Sequence, residues 1–275
     1  MANYEIIDGV AIIPEGIEMI EDRAFRCSKE LKRVVIPQGV RRIGESAFYG
    51  CENLEVVELP EWLEVIGKSA FRGCSSLKEL NLPQWVKRIE NLAFHDCSSL
   101  QNLSIPSSVT HIGYGAFSDC SSLVRIKVDS NNPVYDSRED SNAIIHTESN
   151  ALIRGCSNTI IPPSVTSIGD SAFWGCTSLT QISLPPSVTS IEEDAFWGCT
   201  SLSQINLSPS VTSIGTLAFM DCTSLTQISL PPSVTSIGDC AFDGCESLTL
   251  VKVSKNTELE GKAFWVCPNV KIERY

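Results

Sequence analysis

Leu179 to Glu192 reads L-T-Q-I-S-L-P-P-S-V-T-S-I-E, and Leu225 to Gly238 repeats all of it except the last residue. With its tail the phrase becomes S-L-x-x-I-x-L-P-x-S-V-x-x-I-G-x-x-A-F-x-G-C-x, a unit of 23 residues. A fixed period of this length marks an array in which each unit stacks on the next, because one unit alone cannot enclose its apolar residues. The 275 residues therefore count repeats, not globular domains.

Working outward, A-F pairs recur in register at Ala47-Phe48, Ala70-Phe71, Ala93-Phe94 and Ala116-Phe117, and again at Ala172-Phe173, Ala195-Phe196, Ala218-Phe219 and Ala241-Phe242. Prolines keep the same step at Pro14, Pro37, Pro60, Pro83 and Pro106. The strand-ending apolar residue recurs at Ile36, Leu59, Leu82, Ile105 and Val128, then at Ile161, so one rung carries ten extra residues. That rung opens as a polar, turn-rich loop. It continues A-I-I-H-T-E-S-N-A-L-I, two apolar runs flanking Thr147 to Asn150, which predicts a hairpin. The organisation expected is one continuous array: a capping unit at 1–27 with a strand over Asn3 to Val10, regular repeats at 28–128, an irregular rung at 129–161, regular repeats at 162–250 and a closing cap at 251–275.

Each unit has a physical reading. Alternating apolar positions in S-L-x-x-I-x-L mark a strand with one buried face, and the proline ends its pairing. V-x-x-I-G supplies a shorter extended segment whose glycine permits the turn that follows. A-F-x-G-C turns a small residue, an aromatic ring and a thiol inward on the returning arm.

Twelve cysteines would ordinarily suggest disulfides or metal. Ten of them follow an A-F pair by two or three residues, one to a repeat: Cys27, Cys51, Cys74, Cys97, Cys120, Cys176, Cys199, Cys222, Cys245 and Cys267. Stacked rungs lie about 4.8 Å apart, longer than the roughly 3.5–4.5 Å that bridged Cβ atoms prefer. A straight row also cannot converge on a tetrahedral metal. A file of reduced, buried thiols is the expectation, with Cys156 also in the core at the place of the first strand leucine.

The 21 basic and 33 acidic residues leave a net charge of −12. Residues 1–128 hold 14 basic and 17 acidic, residues 129–250 hold 2 and 13, and residues 251–275 hold 5 and 3. So acidic a second half argues against nucleic-acid and anionic-lipid partners. No apolar run is long enough to insert in a bilayer. The opening M-A-N-Y-E-I-I-D-G-V lacks the basic and apolar regions of a secretory signal.

L-x-x-I-x-L followed by V-x-x-I-G-x-x-A-F-x-G-C resembles the leucine-rich repeat, specifically its BspA-like class. D-S-N-N-P-V-Y-D-S at Asp129 to Ser137 and N-A-L-I-R-G-C-S-N-T-I-I-P at Asn150 to Pro162 are similar to an interruption typical of that class. The resemblance implies a mainly-β repeat solenoid, a right-handed coil of about eleven 23-residue units with a parallel sheet on its concave side. It also implies adhesion to a host or microbial surface protein from a cell-surface or secreted location; the expectation for this chain is a non-enzymatic, monomeric protein-interaction module.

Outward strand positions are where such a coil would bind. In the first half they carry mixed charge, such as Lys32, Arg33, Glu55 and Glu58; in the second they are Gln181 and Ser183, Gln204 and Asn206, Gln227 and Ser229. These six form either a recognition surface or a solvated face with in-register ladders of Gln and Ser. Trp62 and Trp85 share one position in consecutive units, and Trp174 and Trp197 share another. Stacked and exposed, the indoles would suit a partner protein or a sugar ring; packed on themselves, they would cover a corner. Alternatives to protein recognition are thus carbohydrate binding through the tryptophans, or a spacer with no ligand. Only His95, His111 and His146 could act as a neutral-pH base, and none sits in a catalytic or metal motif. Surface positions are expected for His95 and His111. Asp129, Asp136, Glu139 and Asp140 lack the spacing of a calcium loop and read as a solvated turn. No catalytic residue, metal or cofactor is expected.

If the phenyl rings fill the core as read here, Phe173→Ala should lower folding stability by roughly 3–5 kcal/mol, measured by urea denaturation.

Overall fold

A computed structural model describes residues 4–275, so Asn3 of the expected capping strand lies outside the described residues. The chain divides into two compact units, Met1–Asp136 and Ser137–Tyr275, and the division falls inside the irregular rung. The architecture is a mainly-β solenoid of about 12 turns of about 23 residues.

The returning arm explains the period. Ser46, Phe48 and Gly50 donate their N–H groups to the carbonyls of Lys68, Ala70 and Arg72 in the next rung, at 2.9, 2.7 and 2.7 Å. Between them Ala47, Tyr49 and Cys51 donate three residues back, to Gly44, Ser46 and Phe48. Every second N–H thus points along the stack and the others close turns, which leaves no N–H in this segment without an acceptor. The alternation requires left-handed backbone on either side of the A-F pair. It is found at Ser46 (φ 55°) and Gly50 (φ 69°), and again at Ser69 and Gly73, Leu92 and Asp96, Asp194 and Gly198, and Leu217 and Asp221. A non-glycine residue in that region costs roughly 1–2 kcal/mol, offset here by the bonds to the neighbouring rung.

Identical residues then stack. Phe25, Phe48, Phe71, Phe94 and Phe117 form one file, with centroids 4.9 to 5.4 Å apart and nearly parallel planes. Phe173, Phe196, Phe219, Phe242 and Phe264 form another, at 5.0 to 5.1 Å. The thiols queue beside them: Cys51, Cys74, Cys97 and Cys120 donate S–H to the carbonyls of Phe25, Phe48, Phe71 and Phe94, at 3.0 to 3.3 Å. Cys199, Cys222 and Cys245 do the same to Phe173, Phe196 and Phe219.

Cys27 departs from the expectation of a buried thiol. It is exposed and has φ 59°. Its N–H donates to Tyr49 as that of Gly50 does to Arg72, so A-F-R-C places it in the glycine slot one residue short of the core. Cys156 is buried, though not in a leucine slot. Gly155 N–H bonds the Ala172 carbonyl as Phe173 N–H bonds that of Ala195, which puts Gly155 in the phenylalanine slot and Cys156 directly after it. The empty slot is needed, because a Cβ on Gly155 would lie 2.2 Å from the Phe173 ring. The glycine of V-x-x-I-G is explained by crowding more than by turning. Gly67 keeps a negative φ, but a Cβ there would meet the Ile43 carbonyl of the preceding rung at 2.7 Å.

Two parallel ladders run along each unit, and the shorter segment makes the more continuous one. In the first unit Met19–Ile20, Arg42–Ile43, Val65–Ile66, Arg88–Ile89 and His111–Ile112 pair without a break. In the second, Ser167–Ile168, Ser190–Ile191, Ser213–Ile214, Ser236–Ile237 and Glu258–Leu259 do the same. The L-x-x-I-x-L ladder is interrupted. Val10–Ile12, Arg33–Val35 and Val56–Glu58 pair, the rung at 78–82 carries no strand, and Asn102–Ile105 pairs with Arg125–Val128. In the second unit Gln181–Ser183 pairs with Gln204–Asn206, while Gln227–Ser229, Leu250–Val253 and Lys271–Arg274 form a separate sheet.

The irregular rung is anchored by side chains. Asn132, buried, donates to the carbonyls of Pro106 and Val109 and accepts from the N–H groups of Val134 and Tyr135. Ile144–His146 and Ala151–Arg154 form the expected antiparallel hairpin, with a register shift between Ile144 and Ile145. Buried Arg154 donates to the Trp174 carbonyl at 3.0 Å, the group that a regular rung would satisfy from the main chain. A second antiparallel hairpin, Glu5–Ile7 with Val10–Ile12, opens the first unit.

Burial pushes the Cys51 thiol up to about 12 and holds Cys74, Cys97 and Cys222 well above the ordinary range. Iodoacetamide at pH 8 should label Cys27 in the native protein and spare the buried row, read by peptide mass spectrometry. Because these folded-state values exceed the unfolded thiol value of about 8.5, the linkage has one sign. Their contribution is complete below that value and falls as pH rises toward 12, seen as a declining urea midpoint.

Candidate functional site

Where the ladder opens between Gln204–Asn206 and Gln227–Ser229, the second unit has a trough of about 380 Å³. In the flanking rungs Leu184 N–H bonds the Asn206 carbonyl and Leu230 N–H bonds that of Lys252, both at 2.9 Å. Among the described residues, Leu207 N–H makes no such bond to Ser229, and Thr226 N–H makes none to Ser203. The opening therefore exposes main-chain donors and acceptors that neighbouring rungs consume. Such groups have to find water or a ligand.

The walls are Gln204, Asn206, Gln227 and Ser229, and Lys252 supplies a cation at one side. Ile205 and Ile228 also line it. Four of the six strand residues singled out from the pattern thus come together. Gln181 and Ser183 sit one rung away, paired with Gln204 and Asn206, and Ser183 Oγ accepts from Asn206 Nδ2 at 3.0 Å. Lys252 was not singled out. Its register opposite Ser229 is the signal that could have found it, since the closing cap continues the same ladder. Amides and hydroxyls without formal charge, around a partly apolar floor, suit hydrogen bonding to another polar chain.

The tryptophans divide into two settings. Trp62 and Trp85, in the first unit, lie in the turn between the two ladders, 43% and 46% exposed, with ring centroids 5.1 Å apart and planes tilted by 30°. Trp174 and Trp197, in the second unit, lie on the returning arm, half-buried and stacked at 4.7 Å. Trp197 Nε1 donates to Asp221 Oδ2 at 3.1 Å, which orients the outer indole of that pair.

The histidines are dispersed. His95, expected on the surface, is buried, with Nε2 3.6 Å from Asp119 Oδ2. It follows Phe94 in the row that Arg72 and Ser118 also occupy, where the coil covers it. His111 Nε2 lies 3.7 Å from Glu90 Oε2, and His146 Nδ1 pairs with Ser149 Oγ at 2.9 Å. Among the described residues no group of three or more His, Cys, Asp or Glu side chains is placed to hold a metal ion. No helix among them is long and apolar enough to cross a membrane.

Comparison with known proteins agrees with this geometry. The family described as BspA type leucine rich repeat region matches residues 11–138 and 149–271, in six copies. No curated protein matches the chain in sequence. Among crystal structures, a leucine rich cell surface protein from Faecalibacterium prausnitzii A2-165 is 29% identical, covering 94% of this chain and 83% of its own, with a TM-score of 0.61. The pneumococcal vaccine antigen PcpA is 25% identical over 97% of this chain and 68% of its own, with a TM-score of 0.82. A leucine-rich repeat protein from Eubacterium ventriosum ATCC 27560 shares the fold, with a TM-score of 0.86, 24% identity and coverage of 97% and 72%. With nearly the whole repeat array matched, the chain belongs to the BspA-type leucine-rich-repeat family.

Proposed function

We propose that this protein is a non-enzymatic interaction module, displayed at a cell surface, that recognises a partner protein through the polar strand face of its second unit. The observation that carries the reading is the opened ladder. Gln204, Asn206, Gln227 and Ser229 surround main-chain groups that lack rung partners, an arrangement suited to bonding with a partner's backbone and amides. The similarity to a leucine rich cell surface protein from Faecalibacterium prausnitzii supports the surface location. A catalytic role is not part of this reading: His95 is buried, His111 stands beside Glu90, and the His146–Ser149 pair lies at the exposed turn of the hairpin. The partner would be a host or microbial surface protein, met by a monomer.

Replacing Gln204 and Gln227 together by Glu adds two charges to the trough without removing core contacts. Retention of biotinylated surface proteins on the immobilised protein should fall by about tenfold or more, since unmatched charge at an interface costs several kcal/mol, while the far-UV circular dichroism stays unchanged. Equal retention would leave the polar face a solvated spacer.

A second reading rests on Trp62 and Trp85, whose exposed, tilted indoles could receive a sugar ring. Trp62→Ala/Trp85→Ala should then abolish binding on a glycan array that the Gln204/Gln227 variant retains.

A further inference from the structure

Negative charge in the second unit is confined to one face. Residues 155–251 hold eight carboxylates and no Lys, Arg or His. All eight fall on the returning arm or the residues that flank it, from the glycine position of V-x-x-I-G (Glu192) to the residue after the thiol (Glu246). The two ladders of the same rungs carry none. An acidic arm therefore lies beside neutral strands, and stacking sums its charge along the axis.

An apolar strip runs through the same face. Trp174, Trp197 and Met220 occupy the residue after the phenylalanine in consecutive rungs, all half-buried, and the indoles stack at 4.7 Å with planes 10° apart. Carboxylates stand before and after the strip along the arm. Asp221 Oδ2 accepts from Trp197 Nε1 at 3.1 Å, which sets one carboxylate against the indole edge. Exposed Asp170 and Glu193 precede the two indoles by four residues, at most about 14 Å along the chain and less in a turn. Burial, and after it repulsion from Glu192 and Glu193, holds the Asp170 carboxyl above its usual range.

The protein's own cations leave this face unneutralised. Among the described residues no ion pair involves Asp170, Glu192, Glu193 or Asp221. Their acceptors are only partly used: Ser190 Oγ donates to Glu192 Oε1 at 2.6 Å, and each carboxylate has about four acceptor sites. Arg154, at the head of the strip, is buried and turns Nη1 to the Trp174 carbonyl. Lys262, beyond its far end, lies over the Trp265 ring at 3.4 Å and beside Asp239, which takes Asp239 out of the site.

An apolar strip edged by carboxylates matches a long cationic side chain, whose stem lies on apolar surface while its head reaches the anion. We propose that the arm face around Trp174, Trp197 and Met220 docks a basic segment of a partner protein. Lys or Arg stems lie on the indoles and Met220, and their heads meet Asp170, Glu193 and Asp221. The excess of 13 acidic over 2 basic residues in 129–250 steers such a partner toward the unit. The face lies on the arm, apart from the opened ladder, and does not depend on the strand-face reading.

The test is fluorescence anisotropy of fluorescein-labelled hexa-arginine titrated with the full chain at low ionic strength, with hexa-aspartate as the probe of opposite charge. Saturable binding of hexa-arginine alone is expected, weakening with salt. Asp170→Asn/Glu193→Gln should loosen it by about tenfold or more. Glu15→Gln/Glu18→Gln, which removes the same charge from exposed positions of the first unit, should change it by less than about twofold. Trp174→Leu/Trp197→Leu should weaken it by about threefold. Circular dichroism reports whether each variant folds, and Glu193→Gln alone serves if the double variant does not. The proposal is overturned if hexa-arginine does not saturate, if hexa-aspartate binds as tightly, if the two charge variants lose equally, or if the indole variant binds as the wild type does. Complete displacement by spermine at equal charge concentration would also overturn it, making the face a site for a free polyamine. The Gln204/Gln227 variant should retain hexa-arginine binding whether or not it loses surface proteins, which separates this face from the strand face.

Discussion

Every second N–H of the returning arm reaches the rung that follows it, and the rest of each unit depends on that bond. The bond demands left-handed backbone at two places per turn and sets the rungs at strand spacing. It thereby brings each residue beside its equivalent one period away. Phenyl rings at about 5 Å and thiols that share the phenylalanine carbonyls are consequences of it. The same rule orders the outside, where a row of three residues along the axis is a triplet drawn from three repeats.

A stack held on two sides can open on a third. The arm and the V-x-x-I ladder keep the rungs together, so interruption of the L-x-x-I-x-L ladder exposes polar backbone without exposing the phenylalanine file. That division of labour allows the second unit to carry a polar trough over an intact core. The variable positions therefore set the chemistry of the surface, while the repeated ones supply its spacing.

Much of this was legible from residue spacing. The A-F pairs locate the core, the 33-residue step locates the irregular rung, and the two apolar runs around Thr147 locate a hairpin. Cys27 was misread because A-F-R-C lacks one residue of A-F-x-G-C, and a shift of one position turns a side chain from the core to solvent. His95 was misread because the row it joins is lined by its neighbours, and one repeat alone does not reveal that cover. The glycine after V-x-x-I was credited with turning, yet the carbonyl that excludes a side chain there belongs to another rung.

The residues alone determined the period, the parallel stacking and the identity of the buried file, since these follow from local pattern repeated at one interval. Tertiary structure decided which ladder stays closed, which thiol reaches solvent and which histidine is covered. Each of those depends on distances between atoms one or two rungs apart, and a strand left unpaired by its neighbour can carry the same local pattern as one that is paired.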